Sequence, residues 1–299
     1  MFSHSKHYVV FCILFVLAVM DAVGETSLTP EDVLQRHLNS IGTPEVRAAA
    51  KTRVVEGKAV YRILVSGSGE VEGRAAMVSE GQKFHLLLKV NAQQYRGEVF
   101  VSDGEKTSVA GTYADKSRSE FGQFLRAEDL ALREGLLGGV LSTSWPLLDL
   151  DARKGKLRYE GLKNIDDRKL YALSYHPKKG TDMAITLYFD PETFQHVMTI
   201  YKATVHAGIG GPDPSAGLVD PGMAAGPEVA SARQNETRYR IEERFSKFQA
   251  ADGLTLPSHY DLRFQEELQN GFTKLVEWEI DTTRVLSNPT LDPRNFEIP

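Results

Sequence analysis

Apolar and polar residues alternate with a period of two through much of this 299-residue chain, and nothing else limits its fold as strongly. Ala59, Tyr61, Ile63 and Val65 alternate with Lys58, Val60, Arg62 and Leu64. Phe84, Leu86, Leu88 and Val90 alternate with Lys83, His85, Leu87 and Lys89. Successive side chains on a strand point to opposite faces, so this pattern predicts antiparallel strands with one dry and one wetter face. Further strands fit at 71–79, 94–102, 105–113, 156–160, 169–176, 183–189 and 196–205. Asp103-Gly104 and Asn270-Gly271 read as two-residue hairpin turns, and Asp190-Pro191-Glu192-Thr193 as a turn. Near the end, Tyr239, Ile241 and Phe245 alternate with Arg238, Arg240 and Arg244. Tyr260, Leu262 and Phe264 repeat the pattern, and Phe272, Val276, Trp278 and Ile280 continue the dry face.

Four stretches break the rhythm. Thr29 followed by Pro30, Glu31 and Asp32 is a helix opening, and Val33, Leu34, His37, Leu38 and Ile41 recur at helical spacing before Gly42. Pro44 to Lys51 reads as a second, shorter helix. Residues 119–142 carry a helical face of Phe121, Leu125, Leu132, Leu136 and Val140, weakened at Gly135, Gly138 and Gly139 and ended by Trp145-Pro146. Residues 206–234, rich in glycine, proline and alanine, lack the bulky apolar content to fold alone and read as an insertion within one domain spanning 25–299, with a domain linker as the competing reading.

The first 24 residues read as a cleaved secretory signal. His4, Lys6 and His7 form a basic start, Tyr8 to Met20 an apolar run too short to span a bilayer, and Ala22 and Gly24 the small residues before a cut. The mature chain is then expected to begin at Glu25, periplasmic or secreted. The single cysteine, Cys12, lies inside that signal, so disulfides, thiol nucleophiles and cysteine-zinc sites are not expected beyond it. A formal net charge of −5 offers no basic surface for nucleic acid.

Catalytic signals are sparse. Gly67-Ser68-Gly69 is followed by Gly73, one residue late for a dinucleotide loop, and leads into a strand rather than a helix. His37, His85, His176, His196, His206 and His259 include no helical pair at ligand spacing, so no sequence-local metal site is expected and no cofactor is implied. Asp166-Asp167, Glu242-Glu243 and Glu266-Glu267 would point to opposite faces of strands and read as solvated charge.

Several stretches resemble the LolA/LolB-like group of outer-membrane lipoprotein-sorting proteins. They are Val33-Leu34-Gln35-Arg36-His37-Leu38 with Ile41-Gly42, then Lys51-Thr52 and Glu56-Gly57-Lys58, then Leu187-Tyr188-Phe189-Asp190-Pro191-Glu192-Thr193-Phe194. Leu256-Pro257, the final long hairpin and the tail Asn288-Pro289-Thr290-Leu291-Asp292-Pro293-Arg294-Asn295-Phe296-Glu297-Ile298-Pro299 complete them. The resemblance implies a mainly β protein with helices, an incomplete antiparallel β-barrel covered by α-helices. It also implies a non-enzymatic role, a monomer holding a lipid, acyl chain or other apolar ligand, with lipoproteins or envelope proteins as partners. Cavity-lining candidates from the dry face are Tyr61, Ile63, Phe84, Leu86, Leu88, Ile185, Leu187 and Trp278, with Leu132, Leu136 and Trp145 from the covering segment. A filled-core structural or adaptor module of the envelope is the first alternative, and a hydrolase whose groups meet only in three dimensions the second.

Overall fold

The alternating stretches assemble into a single curved sheet. The computed structural model describes residues 28–92, 95–112, 119–206 and 236–298. The signal at 1–24 and residues 207–234 of the expected insertion lie outside the described residues. Among those described, twelve antiparallel strands run β1 Thr52–Val65, β2 Gly69–Glu80, β3 Lys83–Val90, β4 Gly97–Ser102, β5 Thr107–Gly111, β6 Lys156–Ile165, β7 Arg168–His176, β8 Ala184–Phe189, β9 His196–His206, β10 Glu236–Ala251, β11 Leu254–Leu268 and β12 Thr273–Ser287. Their spatial order is β5-β4-β3-β2-β1-β12-β11-β10-β9-β8-β7-β6, so the sheet stays open between β5 and β6. This is the expected incomplete barrel. β9 and β10, which flank 207–235, are direct neighbours, paired up to His206 opposite Glu236.

Topology explains why one face is covered. The chain leaves the sheet at edge strand β5 and re-enters at the opposite edge, β6, so the residues between must cross a face. They do so as α3 Glu120–Ala127, α4 Leu130–Arg133, 3-10 turns at Gly139–Leu141 and Pro146–Leu148, and α5 Leu150–Arg153, where α1 and α2 denote Pro30–Ile41 and Pro44–Ala49. The expected helical face over 119–142 is therefore broken into short pieces. Gly135 and Gly138 both take left-handed backbone, at φ 65° and 78°, and at Gly138 a Cβ would lie 2.7 Å from the Met77 sulfur. Only glycine fits there.

α1 begins as its sequence indicates. The Thr29 hydroxyl accepts from the Asp32 amide at 3.1 Å, and the Asp32 carboxylate accepts from the Thr29 amide at 3.0 Å. That reciprocal pair satisfies two otherwise orphaned amides.

The turns differ in detail from expectation. Ser102 pairs with Thr107 and Glu267 with Thr273, so Asp103-Gly104 and Asn270-Gly271 sit in longer loops than two residues. Phe272 lies in the second loop and is 49% exposed rather than on the dry face. Asp166-Asp167 is not a strand segment: both residues take positive φ, 48° and 61°, between paired Ile165 and Arg168. Asp252-Gly253 joins β10 to β11 in the same way, with φ of 50° and 79°, the two left-handed residues a tight hairpin requires.

Candidate functional site

The inward-facing residues of the sheet form one continuous apolar surface beneath the crossing segment. Of the sequence-derived lining candidates, Tyr61, Phe84, Leu86, Leu88, Leu132, Leu136, Trp145, Ile185, Leu187 and Trp278 all belong to a single buried cluster. Ile63 packs against its edge, half-buried, while Val65 further along the same strand is exposed. Rings interlock across it. Trp278 lies 5.3 Å from Tyr61 and 5.1 Å from Phe121 of α3, centroid to centroid, and Phe121 in turn meets Phe264 at 5.4 Å. Trp145 stacks on His196 at 4.8 Å, and Phe245 stacks on Tyr260 at 5.2 Å.

Polar residues at the same inward-facing positions hold the crossing segment down. Glu98 of β4 accepts from the Ser119 amide at 2.8 Å and its hydroxyl at 2.6 Å, just where Ser119 caps α3. Arg53 of β1 donates from Nη1 to the Val140 carbonyl at 2.6 Å, and the Thr143 amide donates to the Ser79 hydroxyl at 2.9 Å. Glu243 of β10 accepts from the Gly138 amide at 2.7 Å. The Tyr201 and Tyr260 hydroxyls also donate to Glu243, at 2.5 and 2.7 Å. All four latching side chains are buried.

Burial shifts the titration of two of them and of two buried histidines. It raises the Glu243 carboxyl to about 7, against the three hydrogen bonds that favour its ionised form. Burial also lowers the Arg53 guanidinium to about 10. His37, whose Nδ1 lies 3.0 Å from the Phe194 carbonyl, is pushed down to about 4 by burial. His196, with Nε2 at 2.8 Å from the Thr199 hydroxyl, is held well below its usual range by burial and then by His37.

The Glu242-Glu243 pair therefore corrects the reading as solvated charge. The two carboxylates do point to opposite faces, but both are buried. Glu242 is clasped on the outer face by Arg240 and Arg244, each at 2.5 Å. Phase alone could have flagged the inner one: Glu243 falls in register with Tyr239, Ile241 and Phe245. Arg53 is likewise in phase with Val55, Ser79 with Met77, and Glu98 with Phe100. A polar residue at a dry-face position needs a partner, and here the partner is the crossing segment.

No family model matches this chain, and no curated protein matches it. Its structural neighbours include a LolA superfamily protein from Nitrosomonas europaea, 12% identical over 91% of this chain and 99% of that one, with a TM-score of 0.45. A DUF1329 family protein from Desulfovibrio piger is 13% identical over 89% and 96%, with a TM-score of 0.37. MucB of Pseudomonas aeruginosa, solved with MucA, gives 12% identity over 87% and 100%, with a TM-score of 0.23. No helix among the described residues is long and apolar enough to cross a membrane.

Proposed function

We propose that this chain is an exported, non-enzymatic binding protein that holds a lipid, an acyl chain or another apolar ligand between the inward face of its sheet and the 119–153 segment. The observation that carries this reading is the latching. A large apolar face is sealed not by a continuous helix but by short pieces broken at left-handed glycines, fastened through Ser119, Gly138, Val140 and Thr143. Release of these contacts would uncover the face as one surface. Each ligand methylene buried there would contribute about 0.8 kcal/mol, so a single acyl chain supplies several kcal/mol without a charged contact.

The test is direct. Native protein is extracted and its lipid content read by mass spectrometry, and the stripped protein is titrated with an environment-sensitive fatty-acid probe. Saturable binding, weakened by Leu86→Glu and Leu187→Glu in proportion beyond their loss of stability, is the expected result. The interlocked rings around Trp278 and Trp145 favour a second reading, a core filled by its own side chains in a module that binds a protein of the envelope. Absence of co-purifying lipid together with a non-saturating probe would select it.

Both readings place the protein outside the cytoplasm, with 1–24 as a removed signal and 206–234 as an insertion within one domain. N-terminal sequencing of the native protein is expected to start at Glu25. A product retaining Met1 would remove the compartment on which both depend.

A further inference from the structure

The outer face of the sheet carries a cluster that neither reading above uses. On β11, His259 and Asp261 stand two residues apart and so share a face; on β12, Glu279 and Asp281 do the same. The register sets His259 directly opposite Asp281 and Asp261 directly opposite Glu279. Tyr260 and Trp278, their neighbours in sequence, are fully buried on the other side. The four side chains therefore form one square on the outer surface, although they are about twenty residues apart in sequence.

Within that square the side chains of one histidine and three carboxylates converge. The His259 ring contacts a carboxylate at each nitrogen: Nδ1 lies 2.7 Å from Asp281 Oδ1, and Nε2 lies 3.2 Å from Asp261 Oδ1. One ligating atom each from His259, Glu279 and Asp281 falls within 4.8 Å of the others. A tetrahedral ion with bonds of about 2.0–2.2 Å needs ligand atoms about 3.4 Å apart, so the 2.7 Å contact of His259 Nδ1 with Asp281 would open by about 0.7 Å and no other pair would close by more than about 1.4 Å. His259 and Asp261 are mostly buried while Asp281 is open, which leaves a solvent-facing position for a water ligand.

A cation is already drawn to this point. Lys247 of β10 takes a left-handed backbone, φ 53°, and its ammonium lies 3.4 Å from both His259 Nδ1 and Asp281 Oδ1. It sits beside the two atoms that would ligate a metal, and at 63% exposure it is free to swing away. Arg62 pairs with Glu279 through Oε2, and a carboxylate has a second oxygen to offer an ion.

We propose that His259, Glu279 and Asp281 bind a divalent transition-metal ion of the zinc class, with Asp261 as a positioning residue. In the bound state the neutral imidazole coordinates through Nδ1, and its Nε2–H donates to Asp261, which fixes the tautomer and the ring plane. Carboxylate support behind a ligating histidine is the usual means of orienting it. A single imidazole with two carboxylates suits zinc and its neighbours better than calcium, which takes six or more oxygens. The ion would join β11 to β12 on the face opposite the apolar site, so its binding does not depend on the ligand reading.

Zinc binding to the intact protein is measured by calorimetry and by equilibrium dialysis, with cobalt as a spectroscopic substitute. One ion per chain is expected. His259→Gln and Asp281→Asn should abolish saturable binding while leaving thermal unfolding cooperative. Asp261→Asn should weaken binding about 10- to 100-fold, the usual consequence of losing an outer partner. Lys247→Ala should tighten it by removing the competing ammonium, an effect that a merely structural charge cluster would not give. His176→Gln, a histidine elsewhere on the outer face, should change nothing. Failure of the wild-type protein to retain zinc, or undiminished binding in both His259→Gln and Asp281→Asn, would overturn the proposal.

Discussion

Glu243→Ala is expected to lower the free energy of unfolding by about 3–5 kcal/mol at pH 7, because it strands three buried donors at once. The Tyr201 hydroxyl, the Tyr260 hydroxyl and the Gly138 amide all point at this carboxylate, and no water competes at a side chain of zero exposure. Glu243→Gln keeps the shape and one acceptor, so about 1–2 kcal/mol is the expected loss at pH 5, where Glu243 itself holds its proton. Urea-induced unfolding followed by circular dichroism separates the two variants. A loss below about 1 kcal/mol for the alanine variant would show that the latch contributes little.

The same pair of proteins isolates the proton. The folded state keeps the Glu243 proton to about pH 7, whereas an ordinary glutamate loses it near 4.5. Between those values the folded state binds more protons than the unfolded one, so raising the pH favours unfolding. The contribution is fully present below pH 4.5 and disappears as pH rises through 7, a span worth about 3 kcal/mol. His37 and His196 act the other way: both stay neutral in the fold, so stability falls as pH drops below 6.5. Those histidines are common to both proteins, so the difference between wild type and Glu243→Gln cancels them. The wild type should lose stability relative to the glutamine variant as pH rises from 5 to 8. Should binding of an apolar ligand require the crossing segment to lift, the fatty-acid probe should bind faster at pH 8 than at pH 5 in the wild type only.

Trp145→Ala is expected to cost a further large amount, about 3–5 kcal/mol, through the void it leaves. The indole has zero exposure, stacks on His196 and closes the second half of the crossing segment. Its Nε1 has no hydrogen-bond partner among the described residues, so Trp145→Phe forfeits volume but no polar contact. The phenylalanine variant should therefore lose less than half as much in the same unfolding measurement. If the ligand reading holds, the alanine variant should also admit the probe more readily, since space opens under the segment. An alanine variant as stable as wild type would place Trp145 outside the structural core.

The strand pattern was readable because period two is a local property. The alternation around Tyr61, Leu86 and Phe264 identified which residues face inward before any pairing was known, and those residues share one cluster. The α1 cap at Thr29 was equally local. The hairpins were less legible. Asp252-Gly253 makes a true two-residue turn, whereas Asp103-Gly104 and Asn270-Gly271 carry the same kind of signal inside longer loops. Loop length there is set by the register of the flanking strands, which a dipeptide does not encode.

The sequence by itself determined the class of fold and the faces of the strands, since each follows from residues a few positions apart. The sequence also marked the segment around Leu132, Leu136 and Trp145 as a cover for the dry face, and the tertiary structure supplied the reason, since β5 and β6 lie at opposite edges of the sheet. Tertiary structure alone turned Arg53, Ser79, Glu98 and Glu243 from breaks in a pattern into fastenings for that segment. It also brought His259 against Asp281, which belong to different strands. Hydrophobic periodicity is written into each strand. Polar partnership depends on which strands become neighbours, and only the folded chain settles that.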